Sequence, residues 1–292
     1  MPDNKKLNFV FWGTPDVASE TLEIIKEAGF LPTLIITSPD AKSGRGLRMQ
    51  ASPVANFAKE NNIPCLKPEK PTGGKRPDLF EFLRSGLEEP IDLFIVVAYG
   101  KIIPENIINI PKLGSINIHY SLLPKYRGAS PVESAILNGE TETGVTIQKI
   151  EYKMDAGAII AQEKLDILPN EKTPDLRKRL IKQGGELLVN ILPDFVNGKI
   201  KLIAQDGNKA SVCRKIKKED GLVNLEEEPP NALYKKFKAY AFWPRIFFFK
   251  NGKRIIITDA EFVNNQFLIK KVLPEGKKEI KYEEFLKSSI SK

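Results

Sequence analysis

One imidazole occurs in this 292-residue chain. His119 ends the β-branched run Ser115-Ile116-Asn117-Ile118-His119, and an apolar loop closing on Pro124 follows at once. Side chains alternate between faces in a strand, so Asn117 and His119 point to the same side. The first is a fixed hydrogen-bond donor and acceptor; the second is of the type that carries protons near neutral pH. A second constellation lies downstream in Lys153-Met154-Asp155-Ala156-Gly157. A carboxylate in reach of the imidazole would fix its tautomer. Asp-x-Gly is also an ordinary turn signal, so the residues alone leave two readings open: a proton-handling trio of Asn117, His119 and Asp155, or a structural histidine near a turn.

Other chemistries find no support. The first strand-to-helix junction, Phe11-Trp12-Gly13-Thr14-Pro15, carries one glycine and lacks the G-x-G-x-x-G fingerprint that lets backbone approach a pyrophosphate. No Walker loop, H-E-x-x-H or C-x-x-C is present. The two cysteines, Cys65 and Cys213, have no metal-ligand spacing. They fit a metal-free cytoplasmic protein, with a disulfide between them as the alternative.

Elements that would position the trio are legible up to about residue 197. Leu7–Gly13 reads as a buried strand, and the helix after it takes Thr14 as cap and Gly29 as stop. Strand and helix patterns then alternate, and the strand ending at Tyr99 is apolar on both faces, as in the middle of a parallel sheet. The pattern is that of a doubly wound, Rossmann-like α/β domain, whose ligands lie beyond the carboxyl ends of its strands. His119 falls at such an end. Length favours two domains, expected as 1–197, a linker at 198–208, and a small β-barrel of the oligonucleotide-binding type at 209–292. Within that barrel, Asn251-Gly252 marks a hairpin.

Composition is ordinary for a globular protein, with 41% hydrophobic and 28% charged residues. No stretch approaches the roughly 20 apolar residues of a membrane-spanning helix, and the apolar patch after the N-terminus is too short for a secretory signal. Charge is uneven. Residues 205–292 hold 19 Lys+Arg against 12 Asp+Glu, or +7, whereas the first 204 carry 26 against 25. A polyanion partner for the C-terminal third is the favoured reading. Lys42, Arg45 and Arg48 lie among glycines in the loop after the second strand, where a basic segment would grip phosphates.

At residues 117–157 the chain resembles the folate-dependent formyltransferases, in Asn-x-His, Ser-Leu-Leu-Pro, the following Arg-Gly and the later Asp-x-Gly. The likeness extends to Phe11–Ile25, to Val96–Pro104 and, at Ala239–Phe248, to the C-terminal domain of methionyl-tRNA formyltransferases. The resemblance implies that Asn117 holds the formyl oxygen of 10-formyltetrahydrofolate, that His119 stabilises the developing oxyanion and handles protons, and that Asp155 orients His119. It implies a folate-contacting loop of Ser121, Leu122, Leu123 and Pro124, with Tyr99 and Gly100 lining the same pocket. Lys42, Arg45 and Arg48 would enter the acceptor stem of initiator methionyl-tRNA. No metal and no membrane are implied, and a monomer is expected. Tyr120 departs from the family pattern, which has a small residue or proline there, so its bulk is expected to reshape the pocket or shift the loop. Two rival readings remain: a formyltransferase acting on a small amine, such as a sugar nucleotide or glycinamide ribonucleotide, and a non-catalytic RNA- or folate-binding protein.

Overall fold

The computed structural model describes residues 7–43, 48–71 and 79–290. In chain order the first elements are β1 (Phe9–Gly13), α1 (Asp16–Glu27), β2 (Leu34–Ile36), β3 (Ala41–Ser43), β4 (Arg48–Gln50), α2 (Pro53–Glu60), β5 (Cys65–Leu66), α3 (Leu79–Ser85) and β6 (Leu93–Val97). Then come α4 (Glu105–Ile108), β7 (Ser115–His119), β8 (Arg127–Gly128), α5 (Pro131–Asn138), β9 (Glu142–Lys149), β10 (Ile159–Asp166) and α6 (Thr173–Val196). The remainder holds β11 (Val212–Cys213), α7 (Pro230–Ala239), β12 (Phe247–Lys250), β13 (Lys253–Val263), β14 (Gln266–Pro274), β15 (Ile280–Lys281) and α8 (Tyr282–Ile290).

A seven-stranded sheet of order β10-β9-β7-β6-β1-β2-β5 carries the first part of the chain. β7, β6, β1, β2 and β5 pair in parallel, and β9 runs antiparallel to β7. All five residues of β1 and of β6 are buried, as covered central strands of a parallel sheet require. On one face Trp12, Phe94 and Tyr99 meet edge to face, with centroids 5.4 and 5.2 Å apart, among Leu79, Leu83 and Ile107. On the other, Gly185 of α6 sits so close to α1 that a β-carbon there would lie 2.8 Å from Ile24.

One helix start differs from expectation. Thr14 does not cap α1, whose N-cap is Pro15 with no side-chain bond. The Thr14 hydroxyl is instead drawn across the strand ends, 3.1 Å from Ser38 Oγ and 3.1 Å from the Tyr99 carbonyl. At α2 the local rule holds, with Ser52 Oγ accepting from the amide of Ala55 at 3.1 Å ahead of Pro53.

The chain forms two compact units: residues up to Arg127 with Gly144–Lys164 and Leu180–Ala210, and Gly128–Thr143 with Leu165–Arg179 and the chain from Ser211. The second contains a four-stranded antiparallel sheet of order β12-β13-β14-β15. The Asn251-Gly252 turn joins its first pair, with φ of +52° and +72° as a primed hairpin turn demands. In residues 210–216 the strand is the short β11, whose Cys213 carbonyl accepts from the amide of Ala129 at 3.2 Å. The closing helix α8 has no counterpart in the sequence reading. Both cysteines are free, so the alternative of a disulfide does not hold. Among the described residues no helix is long and apolar enough to cross a membrane.

Candidate active site

Two faces of β7 are separated by its alternation. A β-carbon on Gly184 of α6 would lie 3.1 Å from Ile118, 3.2 Å from Val145 and 3.4 Å from the Tyr120 ring, so these three side chains face the helix. Asn117 and His119 therefore face the other way. Their cross-strand partners on β9 are Gln148 and Thr146 respectively, which puts four polar side chains on one face at the carboxyl end of β7. Tyr120 is buried beneath α1 and α6, with its hydroxyl 3.4 Å from that of Thr21. Its ring thus lies on the side of the sheet away from Asn117 and His119, so of the two alternatives direct reshaping of their pocket by its bulk is not what the structure shows.

His119 is 5% exposed, hydrogen-bonded at one nitrogen and faced by a carboxylate at the other. Nε2 lies 2.9 Å from the Tyr126 carbonyl, which requires a proton on Nε2. Nδ1 faces Asp155 Oδ2 across 3.7 Å, a separation that gives Coulombic attraction when the ring is charged but is longer than a hydrogen bond. Asp155 and Tyr126 both adopt left-handed backbone, with φ of +48° and +59°. Such conformations cost of order 1–3 kcal/mol each and cluster at functional sites. Gly157 has its own reason: a β-carbon there would overlap the Lys149 carbonyl oxygen. The Asp-x-Gly turn thus folds tightly against the end of β9.

Asp155 is steered by neighbours that sequence reading did not single out. Gln148, 1% exposed, donates from Nε2 to Asp155 Oδ1 at 2.9 Å, while Oδ2 is the oxygen facing the histidine. The segment after α6 reaches the same place. Gln205 Nε2 donates to the carbonyls of Gly157 at 2.7 Å and Asp155 at 3.0 Å, while its Oε1 accepts from Arg127 Nη2 at 2.7 Å.

The loop expected to contact folate is fastened by Thr146. That hydroxyl donates to the Ser121 carbonyl at 2.6 Å and accepts from the Leu123 amide at 3.1 Å and from Gln162 Nε2 at 2.7 Å. Ser121 spends its own hydroxyl on the Lys125 carbonyl at 2.6 Å. Leu123 is buried, Leu122 and Pro124 are partly exposed, and Gly144 leaves room for Leu122. The Asn117 amide has no hydrogen-bond partner within the protein among the described residues, which leaves it for a ligand oxygen.

The other expected contacts divide. Tyr99 is 2% exposed with its ring against Trp12, and burial pushes its phenol up to about 12. What Tyr99 and Gly100 present at the strand end is backbone, with Gly100 at φ +80° and open space at its β-carbon position. Lys42 and Arg48 lie on the antiparallel ribbon β3–β4, one register step apart, so they occupy opposite ribbon faces, and both are exposed. Arg45 lies outside the described residues. The ribbon leaves the sheet after β2, at the same edge as His119 and three strands away, roughly 15 Å at normal strand spacing. Among the described residues no group of three or more His, Cys, Asp or Glu side chains could hold a metal ion.

Comparison with known proteins identifies the family. The formyl transferase family matches residues 5–192, and the formyl transferase C-terminal domain matches 215–268. A methionyl-tRNA formyltransferase of Dictyoglomus turgidum is 36% identical over 96% of each chain. Among solved structures, a methionyl-tRNA formyltransferase from Clostridium thermocellum matches with a TM-score of 0.57 at 18% identity, covering 94% of this chain and 99% of that one. An N-formyltransferase from Helicobacter canadensis in complex with folinic acid and dTDP-3-aminofucose matches with a TM-score of 0.64 at 20% identity, covering 90% and 95%. An intact Asn-x-His at the carboxyl end of an interior strand, a carboxylate facing it from an Asp-x-Gly turn and family matches to both parts of the chain lead to one assignment: the chain belongs to the formyl transferase family, in its methionyl-tRNA formyltransferase group.

Proposed function

We propose that this chain transfers the formyl group of 10-formyltetrahydrofolate to the amino group of initiator methionyl-tRNA. The observation that carries the reading is the convergence of Asn117, His119 and Asp155 at the carboxyl end of β7, beside a loop fastened at Ser121–Leu123. The co-substrate supplies an activated formyl carbon, which the acceptor amine attacks as tetrahydrofolate departs.

Asn117 fits the formyl oxygen, because its side-chain amide is unpartnered among the described residues and it is the one partly exposed residue of β7. A preorganised donor at a developing oxyanion contributes roughly 3 to 4 kcal/mol. His119, once its Nε2–H turns from the Tyr126 carbonyl to the substrate, adds a second donor and passes the proton lost by the amine towards the departing nitrogen. Asp155 holds the ring in place and balances its charge when it carries that proton. Leu122, Leu123 and Pro124 offer a flat apolar wall of the kind a pterin needs, with the backbone of Tyr99 and Gly100 for polar contacts.

The tRNA assignment is supported by the exposed Lys42 and Arg48 at the same sheet edge, with Arg45 between them in sequence. It is supported also by the net +7 of residues 205–292 and by Phe242 and Trp243, 74% and 48% exposed beside Arg245, which suit stacking on nucleobases. On this reading residues 209–292 form a tRNA-binding domain and the enzyme works as a cytoplasmic monomer. The deciding experiment offers 10-formyltetrahydrofolate with methionyl-tRNA, an amino-sugar nucleotide or glycinamide ribonucleotide. Formylmethionyl-tRNA is the expected product, and faster formylation of either small amine would sink the acceptor assignment.

A further inference from the structure

Residues 198–208 read as a linker in sequence, yet the segment is pinned to the sheet and returns a side chain to the site. Ile203 and Ile159 exchange backbone hydrogen bonds of 2.8 and 2.9 Å on β10. Two residues on, the amide of Gln205 sits between Arg127 and the Asp155 turn. Arg127, 8% exposed, can only donate, and its Nε and Nη2 lie 3.1 and 2.7 Å from Gln205 Oε1. That contact settles which end of the Gln205 amide is oxygen. Nε2 must then face the acceptors, and it has three: the carbonyls of Gly157 and Asp155, at 2.7 and 3.0 Å, and Gln148 Oε1 at 3.2 Å. Gln148 is oriented in turn, with its oxygen towards Gln205 and its nitrogen 2.9 Å from Asp155 Oδ1.

Every donor in this chain meets an acceptor, from a guanidinium at one end to a carboxylate at the other. Reversing either amide would set donor against donor and acceptor against acceptor. We propose that Gln205 is a positioning residue for formyl transfer: clamped by Arg127, it holds the left-handed Asp155 turn and, through Gln148, fixes which carboxylate oxygen faces His119. This rests on the reading of His119 and Asp155 as the catalytic pair.

Two variants test it. Gln205→Ala removes both ends of the amide, whereas Gln205→Glu keeps the oxygen that pairs with Arg127 and removes the donors. Each is expected to lower kcat about 10- to 100-fold, the usual effect of removing an outer hydrogen-bond partner. KM for 10-formyltetrahydrofolate and for methionyl-tRNA should stay within about twofold. In an Asp155→Asn background, Gln205→Ala should cost less than about twofold more, because both act through one group. His119 is the only histidine, so its imidazole C–H signals are readable by NMR in the free enzyme. They should move in both Gln205 variants in the direction seen for Asp155→Asn. Unmoved signals, an unchanged kcat in Gln205→Glu, or a full-sized loss in the Asp155→Asn background would each overturn the proposal. If the wild-type protein formylates no methionyl-tRNA, the acceptor assignment fails by itself and the imidazole signals still decide the role of Gln205. Should Gln205→Ala fail to fold, the glutamate variant carries the test.

Discussion

Asp155 turns Oδ2 towards His119 Nδ1 across 3.7 Å while its Oδ1 accepts from Gln148. One carboxylate oxygen is thus anchored by Gln148 and the other faces the ring. Replacing it by asparagine keeps the shape and removes the charge, so kcat should fall about 10²- to 10⁴-fold, the usual range for lost proton handling. KM for both substrates should barely change. His119→Ala should lose at least as much, and Asn117→Ala about 10² to 10³. Steady-state kinetics of formylmethionyl-tRNA formation reads all three.

Thr146→Val separates loop anchoring from chemistry. It keeps the shape of a buried residue but strips the hydroxyl that ties the Ser121 carbonyl, the Leu123 amide and Gln162. Leaving those groups unpaired should cost about 1–3 kcal/mol of stability, measurable by urea denaturation. KM for the formyl donor should rise severalfold while kcat at saturation changes little. A larger loss in kcat than in KM would place Thr146 in the chemical step instead.

At Gly157 an added methyl meets the Lys149 carbonyl, a backbone atom that cannot swing away. Gly157→Ala should displace the turn, lower kcat as Asp155→Asn does, and destabilise by about 2 kcal/mol or more, since overpacking ordinarily costs 1–3. A thermal melt and a rate measurement on the same sample check both.

How far these residues were legible in sequence depends on the range of the physics involved. Strand alternation is local, so Asn117 and His119 were assigned to one face from two letters of spacing. The same alternation in Val145-Thr146-Ile147-Gln148 separates two apolar from two polar side chains, but it cannot tell a solvated face from a buried polar one. Only the third dimension reveals Thr146 and Gln148 as nearly inaccessible, at 0% and 1% exposure. Gln205 is 50 residues from Asp155, beyond any periodicity. Thr14 went the wrong way because a local cap competed with a cross-strand bond that sequence does not display. α8 is short and charged along its exposed sides, which gives it a weak helical pattern in sequence.

Tyr99→Phe tests burial against ligand contact. The Tyr99 hydroxyl is buried without a hydrogen-bond partner among the described residues, so its removal should leave the melting temperature at neutral pH unchanged or slightly raised. The folded phenol titrates near 12 because burial disfavours the anion, against about 10 when unfolded. Between those values the unfolded chain has released a proton that the folded one retains, so stability falls as pH rises through that window, by at most about 3 kcal/mol. Tyr99→Phe should shed that part of the alkaline loss. Its KM for the formyl donor should match wild type if backbone alone meets the ligand.

Lys42→Ala and Arg48→Ala should weaken methionyl-tRNA binding without changing kcat at saturation. Each lost phosphate contact should flatten the log–log salt dependence of affinity by about 0.7 to 0.9. Unchanged slopes in both variants would remove the ribbon from the tRNA interface.

The bond between Gln205 and the Asp155 turn also gives the enzyme a timetable. A growing polypeptide acquires its imidazole, its amide and its carboxylate by residue 155, but the group that locks them arrives 50 positions later. During synthesis at about 5–20 residues per second, several seconds pass in which the reacting groups exist without their lock. A chain interrupted in the stretch after α6 would therefore carry the whole set of reactive side chains and still turn over slowly.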